Sequence, residues 1–262
     1  MQDRELTQFN RHERIVELIN DNGYASIEQL AARFAVTPQT IRRDLNQLAE
    51  AALVRRVHGG AGRNESSTTN APYLSRQNLN IDAKQRIADK LAEHIPDESS
   101  LFINIGTSTE MVARSLLNHR GLEVITNNLN VASILQPKED FNVIVAGGTV
   151  RSHDGGIIGE ATIDFINQFK VDYGIIGISG IDLDDGSLLE FDYREVRVAQ
   201  AIINNSRRRL LVADESKFGR RALVRQGNIA QMDALFTNLT PPDHLLELLK
   251  LGEVALHVSQ SD

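Results

Sequence analysis

The chain has 262 residues, 41% of them hydrophobic and 24% charged, with a net charge of −7 and no cysteine. That is enough apolar material for two folded domains, and it excludes disulfide and thiolate chemistry and points to a reducing, cytoplasmic setting. The first fifteen residues mix charges of both signs, so they do not read as a signal peptide, and no stretch approaches the ~18 apolar residues of a membrane span.

The charge is unevenly placed. Residues 1–62 carry eight arginines against eight acidic residues, so the whole negative excess lies in the remainder. Between 37 and 62, Arg42, Arg43, Arg55 and Arg56 oppose only Asp44 and Glu50. A local basic patch on a neutral module suits sequence-specific nucleic-acid binding better than nonspecific binding.

In chain order, Ile15, Leu18 and Ile19 predict a helix over about 11–21, ended by Asn22-Gly23. Ser26, with Gln29 three residues on, predicts a capping box for a second helix buried through Ile27, Leu30, Ala31 and Phe34. Ala35-Val36 leaves room only for a tight turn. Thr37 then caps a third helix, with Pro38 at its first position. Ile41, Leu45 and Leu48 make its apolar stripe, while Gln39, Arg42, Arg43 and Asn46 point the other way. Amides and guanidinium groups presented from an anchored face read base edges and clamp phosphates, which defines a recognition helix over 37–48. Ala52 to Ala61 alternates apolar and basic residues and ends in Gly59-Gly60, predicting a β-wing. Arg55 and Arg56 have two readings, phosphate contacts or solvated charges. His58 is a phosphate donor or a turn-stabilising side chain; with no second ligand at metal spacing, no metal is expected.

The pattern Arg11, Ile15, Ile19, then Thr37 to Leu45, then Arg56-Val57-His58-Gly59-Gly60-Ala61, resembles the winged helix-turn-helix of the DeoR family of bacterial sugar-catabolism repressors. The resemblance implies operator DNA as partner, with contacts from Thr37, Gln39, Thr40, Arg42, Arg43 and Asn46 on the helix and Arg55, Arg56 and His58 on the wing. The expected division is a DNA-binding domain over 1–62, a mobile, aperiodic linker over 63–82 and an α/β domain over 83–262.

From Lys84 onward helical and strand-like runs alternate. A helix through Ile87, Leu91 and Ile95 precedes the strand 100–105. Further strands are expected at 122–126, 142–146, 173–178, 210–213, 234–237 and 253–257. Such alternation predicts a mostly parallel, Rossmann-like sheet covered by helices, with ligands beyond the carboxyl ends of its strands. Gly106-Thr107-Ser108-Thr109, Asn127-Asn128, Gly147-Gly148, Gly180-Ile181-Asp182 and the run from Asp214 to Gly219 stand there. Gly106 to Thr109 opens a helix, so backbone N–H groups and hydroxyls converge on an anion, or simply cap the helix. Lys217 adds a positive charge to that site, or is an exposed lysine.

These pieces also resemble the DeoR-family sensor domain, related in fold to ribose-5-phosphate isomerase. The resemblance implies an effector site at Gly106, Thr107, Ser108, Thr109, Asn127, Asn128, Gly147, Gly148, Asp182 and Lys217, a phosphorylated sugar or polyol such as glycerol 3-phosphate as effector, and a homo-oligomer, dimer or tetramer. No cofactor and no membrane partner is expected. Asn104 stands where the family usually has Asp, and Ala199 lies where Lys is common; both bear on effector affinity. The alternative is a sugar-phosphate isomerase-like enzyme with a DNA-binding appendage, using carboxylates among Asp182, Asp184, Asp185, Glu190 and Glu195. Asp182 to Asp185 reads better as a polar loop, so the expectation is a repressor released from DNA by its effector, and no enzyme.

Overall fold

A computed structural model describes residues 11–12, 14–19, 22–51, 53–63 and 66–259. The N-terminal stretch 1–10, the expected helix end at 20–21, the first wing residue Ala52, linker residues 64–65 and the last three residues lie outside the described residues. The chain divides into two compact units between Leu79 and Asn80.

In the first unit the described residues of 11–19 are helical (α1). Strand β1 (Tyr24–Ser26) leads into α2 (Ile27–Phe34), where Ser26 Oγ accepts from Gln29 N and the Gln29 side chain accepts from Ser26 N. Ala35 turns the chain in the left-handed region, at φ +51°, and α3 (Pro38–Glu50) follows at once. Thr37 Oγ1 accepts from Thr40 N, and Pro38 begins the helix, where no N–H is needed. Ile15, Ile19, Leu30, Ile41 and Leu45 are fully buried together. Strands β2 (Val54–Val57) and β3 (Gly60–Arg63) form an antiparallel hairpin, and β1 pairs with β3 on its other side. The stretch 63–82, expected as an aperiodic linker, contains helix α4 (Tyr73–Asn78) and the start of the next helix. Pro72 precedes the first turn of α4, and Gln77 Nε2 donates to Tyr73 Oη one turn back. Six residues are too few to show an apolar period, which is why composition alone points to a linker there.

The second unit is a three-layer α/β sandwich. Its sheet joins β4 (Ser100–Ile103), β5 (Glu123–Thr126), β6 (Asn142–Val145), β9 (Val171–Gly177), β12 (Ser206–Val212), β14 (Ala234–Thr237) and β15 (Ala255–Val258). All seven are parallel, in the order β15-β14-β12-β9-β4-β5-β6. Every expected strand is present. The two-residue alternation of side chains decides what each face holds. Leu101, Ile103, Ile175, Val212 and Phe236 pack on one side with α5 (Ile81–Ala92), α6 (Thr107–Ser115) and α7 (Leu129–Leu135). Phe102, Ile176, Leu211 and Leu235 pack on the other with α8 (Glu160–Ile166), α9 (Tyr193–Asn204) and α10 (Asp243–Leu251). The chain winds outward one way from β4 and the other way from β9, so the order reverses between these two neighbours. In open parallel sheets such a reversal is where ligands bind, beyond the carboxyl ends of the strands.

Two smaller elements are additions to the expected set. Strands β7 (Thr149–Val150) and β8 (Ile157–Ile158) form a hairpin, and β10 (Gly180–Ile181), β11 (Ser187–Glu190) and β13 (Val224–Asn228) form an antiparallel sheet with a bulge at Leu188/Leu189. Two-residue strands carry no readable period.

Candidate functional sites

On α3 the apolar side is anchored and the polar side is open. Gln39, Arg42, Arg43 and Asn46 are exposed. Thr37 and Thr40 are engaged with each other, Oγ1 to Oγ1 at 2.9 Å, in the cap. Asp44 is the buried exception on this helix. It accepts from Arg11 Nε at 2.7 Å, Arg11 Nη2 at 3.0 Å and His12 Nε2 at 3.0 Å, tying α1 to α3. Burial pushes the Asp44 carboxyl up, but the hydrogen bonds from His12 and Arg11 outweigh it and hold the group below its ordinary value. Charge counting treats Asp44 only as a negative group opposing the arginines. Its place on the Ile41–Leu45–Leu48 stripe is the signal that it points inward.

In the wing, Arg55 and His58 are exposed, whereas Arg56 Nη1 donates to Gly60 O at 2.9 Å and braces the hairpin. Both wing glycines have physical reasons. Gly59 adopts φ +77°, and a Cβ on Gly60 would lie 2.2 Å from Ala25 O, where β1 crosses close.

The carboxyl ends of the sheet strands hold most of the expected effector residues. After β4, Gly106 adopts φ +148° and α6 begins, with Thr107 and Ser108 half-buried in its first turn. Thr109 is fully buried and its Oγ1 donates to Asn104 O at 2.7 Å and Gly106 O at 2.8 Å, so it builds the turn. After β5, Asn127 Nδ2 donates to Ile157 O at 3.1 Å. Asn128 Oδ1 caps α7 and its Nδ2 donates to Glu110 Oε1, so this side chain is structural as well. After β6, Gly147 O accepts from Thr162 Oγ1, and a Cβ on Gly148 would collide with that same hydroxyl at 2.1 Å. Asp182 stands in the β10–β11 turn, where its Oδ1 accepts from Asp184 N at 2.8 Å and its backbone N–H bonds Ser187 O.

After β12, fully buried Asp214 gathers the cations. Lys217 Nζ lies 3.6 Å from its Oδ2, while Asn80 Nδ2 donates to its Oδ1 at 2.9 Å, and Ser216 bonds the same oxygen. Burial pushes this carboxyl up, but the charges of Lys217 and Lys84, then the bonds from Ser216 and Asn80, hold it well below the carboxylate range. Lys84 is itself buried, and it is absent from the residues expected here. It occupies the apolar stripe of α5 with Ile87 and Leu91, and a lysine on such a stripe is the signal that exposes it.

Among the described residues, buried polar atoms at strand ends without a hydrogen-bond partner include Asn104 Oδ1 after β4, Asn127 Oδ1 after β5, Asp214 Oδ2 after β12, which has only the Lys217 ion pair, and Thr237 Oγ1 closing β14. Buried polar atoms are normally paired, and those of Asn104 and Asn127 stand on the neighbouring strand ends of β4 and β5. The β7–β8 hairpin lies over these ends. Ile157 N donates to Asn127 O, and the Gly156 Cα stands so near Ile105 that a Cβ would meet Ile105 Cδ1 at 2.6 Å. Buried Arg151 fastens the hairpin, donating through Nη1 to Glu195 Oε2 of α9 at 2.6 Å and through Nη2 to Asp154. Burial lowers the guanidinium pKa, but Glu195 and Asp154 raise it further, so Arg151 stays charged. Glu195 is thus committed to an ion pair.

A winged helix-turn-helix followed by a parallel-sheet unit with unpaired buried polar atoms at its strand ends has the organisation of a ligand-responsive transcription regulator. A model of the DeoR-like helix-turn-helix domain matches residues 11–67, and one of the DeoR C terminal sensor domain matches residues 79–239. The chain is 56% identical over 253 residues to the glycerol-3-phosphate regulon repressor of Escherichia coli, covering 97% of this chain and all of that one. It is 52% identical to the repressor of the same name from Haemophilus influenzae, over 90% and 91% of the two chains. It is 43% identical to the E. coli HTH-type transcriptional repressor CsqR, over 98% of each. Ribose 5-phosphate isomerase A from Methanocaldococcus jannaschii aligns over about half of each chain, 53% of this one and 55% of its own, with 14% identity and a TM-score of 0.40. The chain belongs to the DeoR family. It is a DNA-binding repressor with a sensor domain, a regulator and not the isomerase-like enzyme of the alternative reading. No helix among the described residues is long and apolar enough to cross a membrane.

Proposed function

We propose that this repressor controls a glycerol or related polyol catabolic operon, works in the cytoplasm as a homo-oligomer, and is released from its operator by glycerol 3-phosphate. The observation that carries the effector reading is the pair of unpartnered polar atoms of Asn104 and Asn127 at the ends of the neighbouring strands β4 and β5, on the same side of the sheet as Lys84 and Lys217. Neighbouring strands lie ~4.8 Å apart, so the ends of β4 and β12, with β9 between them, are separated by about 10 Å. That span suits a short polyol with one phosphate. The phosphate goes to the first turn of α6 at Gly106, Thr107 and Ser108, where N–H groups and helix dipole favour an anion, with Lys217 and Lys84 as the nearby cations. Asn104 and Asn127 take hydroxyls, and Gly147, Gly148 and Asp182 shape the surround. The similarity to repressors named for glycerol 3-phosphate supports that ligand over other phosphorylated metabolites.

On DNA, Arg42 and Arg43 contact phosphates or guanine edges, Gln39 and Asn46 read bases, and Arg55 and His58 of the wing meet the backbone, while Thr37, Thr40 and Arg56 hold these elements in shape. A neutral module gives a modest grip, so symmetric pairing on two half-sites supplies the affinity. The test is a mobility shift on the neighbouring promoter with a panel of phosphorylated metabolites. Glycerol 3-phosphate should release the complex and inorganic phosphate should not; release by none of the panel would refute the effector reading.

A further inference from the structure

We propose that Asn80 is the positioning residue through which the effector site acts on the DNA-binding unit; this rests on the effector reading above and names how that site is read out. The boundary between the two compact units falls between Leu79 and Asn80, so Asn80 is the first residue of the sensor unit. It stands at the N-cap of α5, a position where an asparagine side chain ordinarily accepts from N–H groups of its own helix. Here it does not. The backbone lies in the left-handed region, at φ +53° and ψ +39°, and the side chain makes no capping bond. Its Nδ2 donates instead to Asp214 Oδ1 at 2.9 Å, 134 positions along the chain. Left-handed backbone is unfavourable for a residue with a side chain, and a forgone cap weakens the helix start, so the long-range bond is what this arrangement secures.

Asp214 joins that bond to the cations. It is fully buried after β12 and caps the short turn Glu215–Lys217 by accepting from Ser216 N, while Lys217 Nζ of the same turn lies 3.6 Å from its Oδ2. Lys84, buried one turn beyond Asn80, donates its backbone N–H to Asn80 O at 2.9 Å. The two lysines assigned to the effector are therefore tied to the carboxylate and the helix turn that hold Asn80. A buried carboxylate stripped of its partners is strongly destabilising, so Asp214 follows Lys217 and Lys84 when they shift towards a phosphate. The Asn80 amide carries that movement to the residue that follows Leu79. A ligand shifts an equilibrium only through contacts that differ between two states; here the contacts are with the lysines, and the states are two seatings of the first turn of α5. Without the amide the ligand still binds, but the start of the sensor unit no longer follows it.

The experiment uses the full chain as wild type, Asn80→Gly and Asn80→Ala. Calorimetry gives the affinity for glycerol 3-phosphate with and without promoter DNA, and mobility shift gives the affinity for that DNA with and without saturating glycerol 3-phosphate. Glycine is unstrained in the left-handed turn, so Asn80→Gly keeps the fold, and Asn80→Ala removes the same amide without loosening the backbone. Should Asn80→Ala not fold, Asn80→Asp takes its place, because aspartate tolerates this backbone and its carboxylate cannot donate. In wild type each ligand should weaken the other by the same factor, about tenfold or more. The variants should bind either ligand alone within about threefold of wild type, while the mutual weakening falls below about threefold. A merely structural role would move the separate affinities and leave the coupling. Coupling unchanged in the variants overturns the proposal and leaves the effector reading standing. Uncoupling in Asn80→Gly alone overturns it as well, since backbone freedom would then be the cause. So does a variant that no longer binds glycerol 3-phosphate, which would place Asn80 in the ligand site itself. If wild-type DNA binding does not respond to glycerol 3-phosphate, the effector reading fails and this proposal falls with it.

Discussion

Single side chains divide into those that face a ligand and those that hold another side chain in place. Arg42 and Arg43, exposed and proposed above to contact DNA, belong to the first group. Replacing both by alanine should abolish a specific mobility shift, and each phosphate left without its arginine should lower the salt slope of log K by about 0.9. Asp44 is in the second. Asp44→Asn should destabilise the DNA-binding unit by about 1–3 kcal/mol, because Arg11 and His12 lose a buried charged acceptor. Its carboxyl titrates lower in the folded state than the ordinary value of 3.8, so the stabilisation is present above that pH and lost as pH falls through the folded value. The melting difference between wild type and Asp44→Asn should accordingly shrink as the solution is acidified below about pH 4. The exposed arginines are legible from periodicity. Asp44 and Lys84 are harder to read, because a charge on an apolar stripe declares that it is buried without naming the distant partner that makes burial tolerable.

Elements show the same contrast. The seven sheet strands are legible because continuous apolar runs between polar ends have few other uses. The β7–β8 hairpin and the β10-β11-β13 sheet are not, since short strands stabilised by partners tens of residues away leave no local pattern. Arg151 and Glu195, for example, are joined across 44 positions. Arg151→Ala leaves Asp154 and Glu195 without their cation and should cost the sensor unit about 3–5 kcal/mol. Calorimetry of the full chain should show the sensor transition lowered and the DNA-binding transition unmoved. At the wing, Gly60→Ala forces β3 off β1, a strain on the order of 3 kcal/mol. Circular dichroism should keep the signal of α2 and α3 while operator affinity falls; unchanged affinity would show that the wing does not touch DNA.

For the whole molecule, a bound effector is a stability term. Glycerol 3-phosphate at 100 times its dissociation constant should stabilise the sensor unit by about 2.7 kcal/mol, visible as a raised melting temperature that inorganic phosphate does not reproduce. Sedimentation should show an oligomer, and a monomer with undiminished operator affinity would contradict the paired-helix scheme. The all-parallel sheet, with β9 inserted between β4 and β12, has one more consequence, in time instead of space. The centre of the sheet cannot assemble until β9 and β12 have been synthesised, whereas the DNA-binding unit closes on contacts made entirely before residue 80. At 5–20 residues per second, the ribosome needs about 7–27 s to travel from residue 79 to the end of β12. During that interval every nascent chain carries a finished reading head with no working sensor. Stalled chains ending near residue 150 should therefore resist proteolysis over 11–79 and be cleaved beyond it. On the proposed paired-helix scheme, the weak grip of a single head would keep such unsupervised chains from silencing the operator.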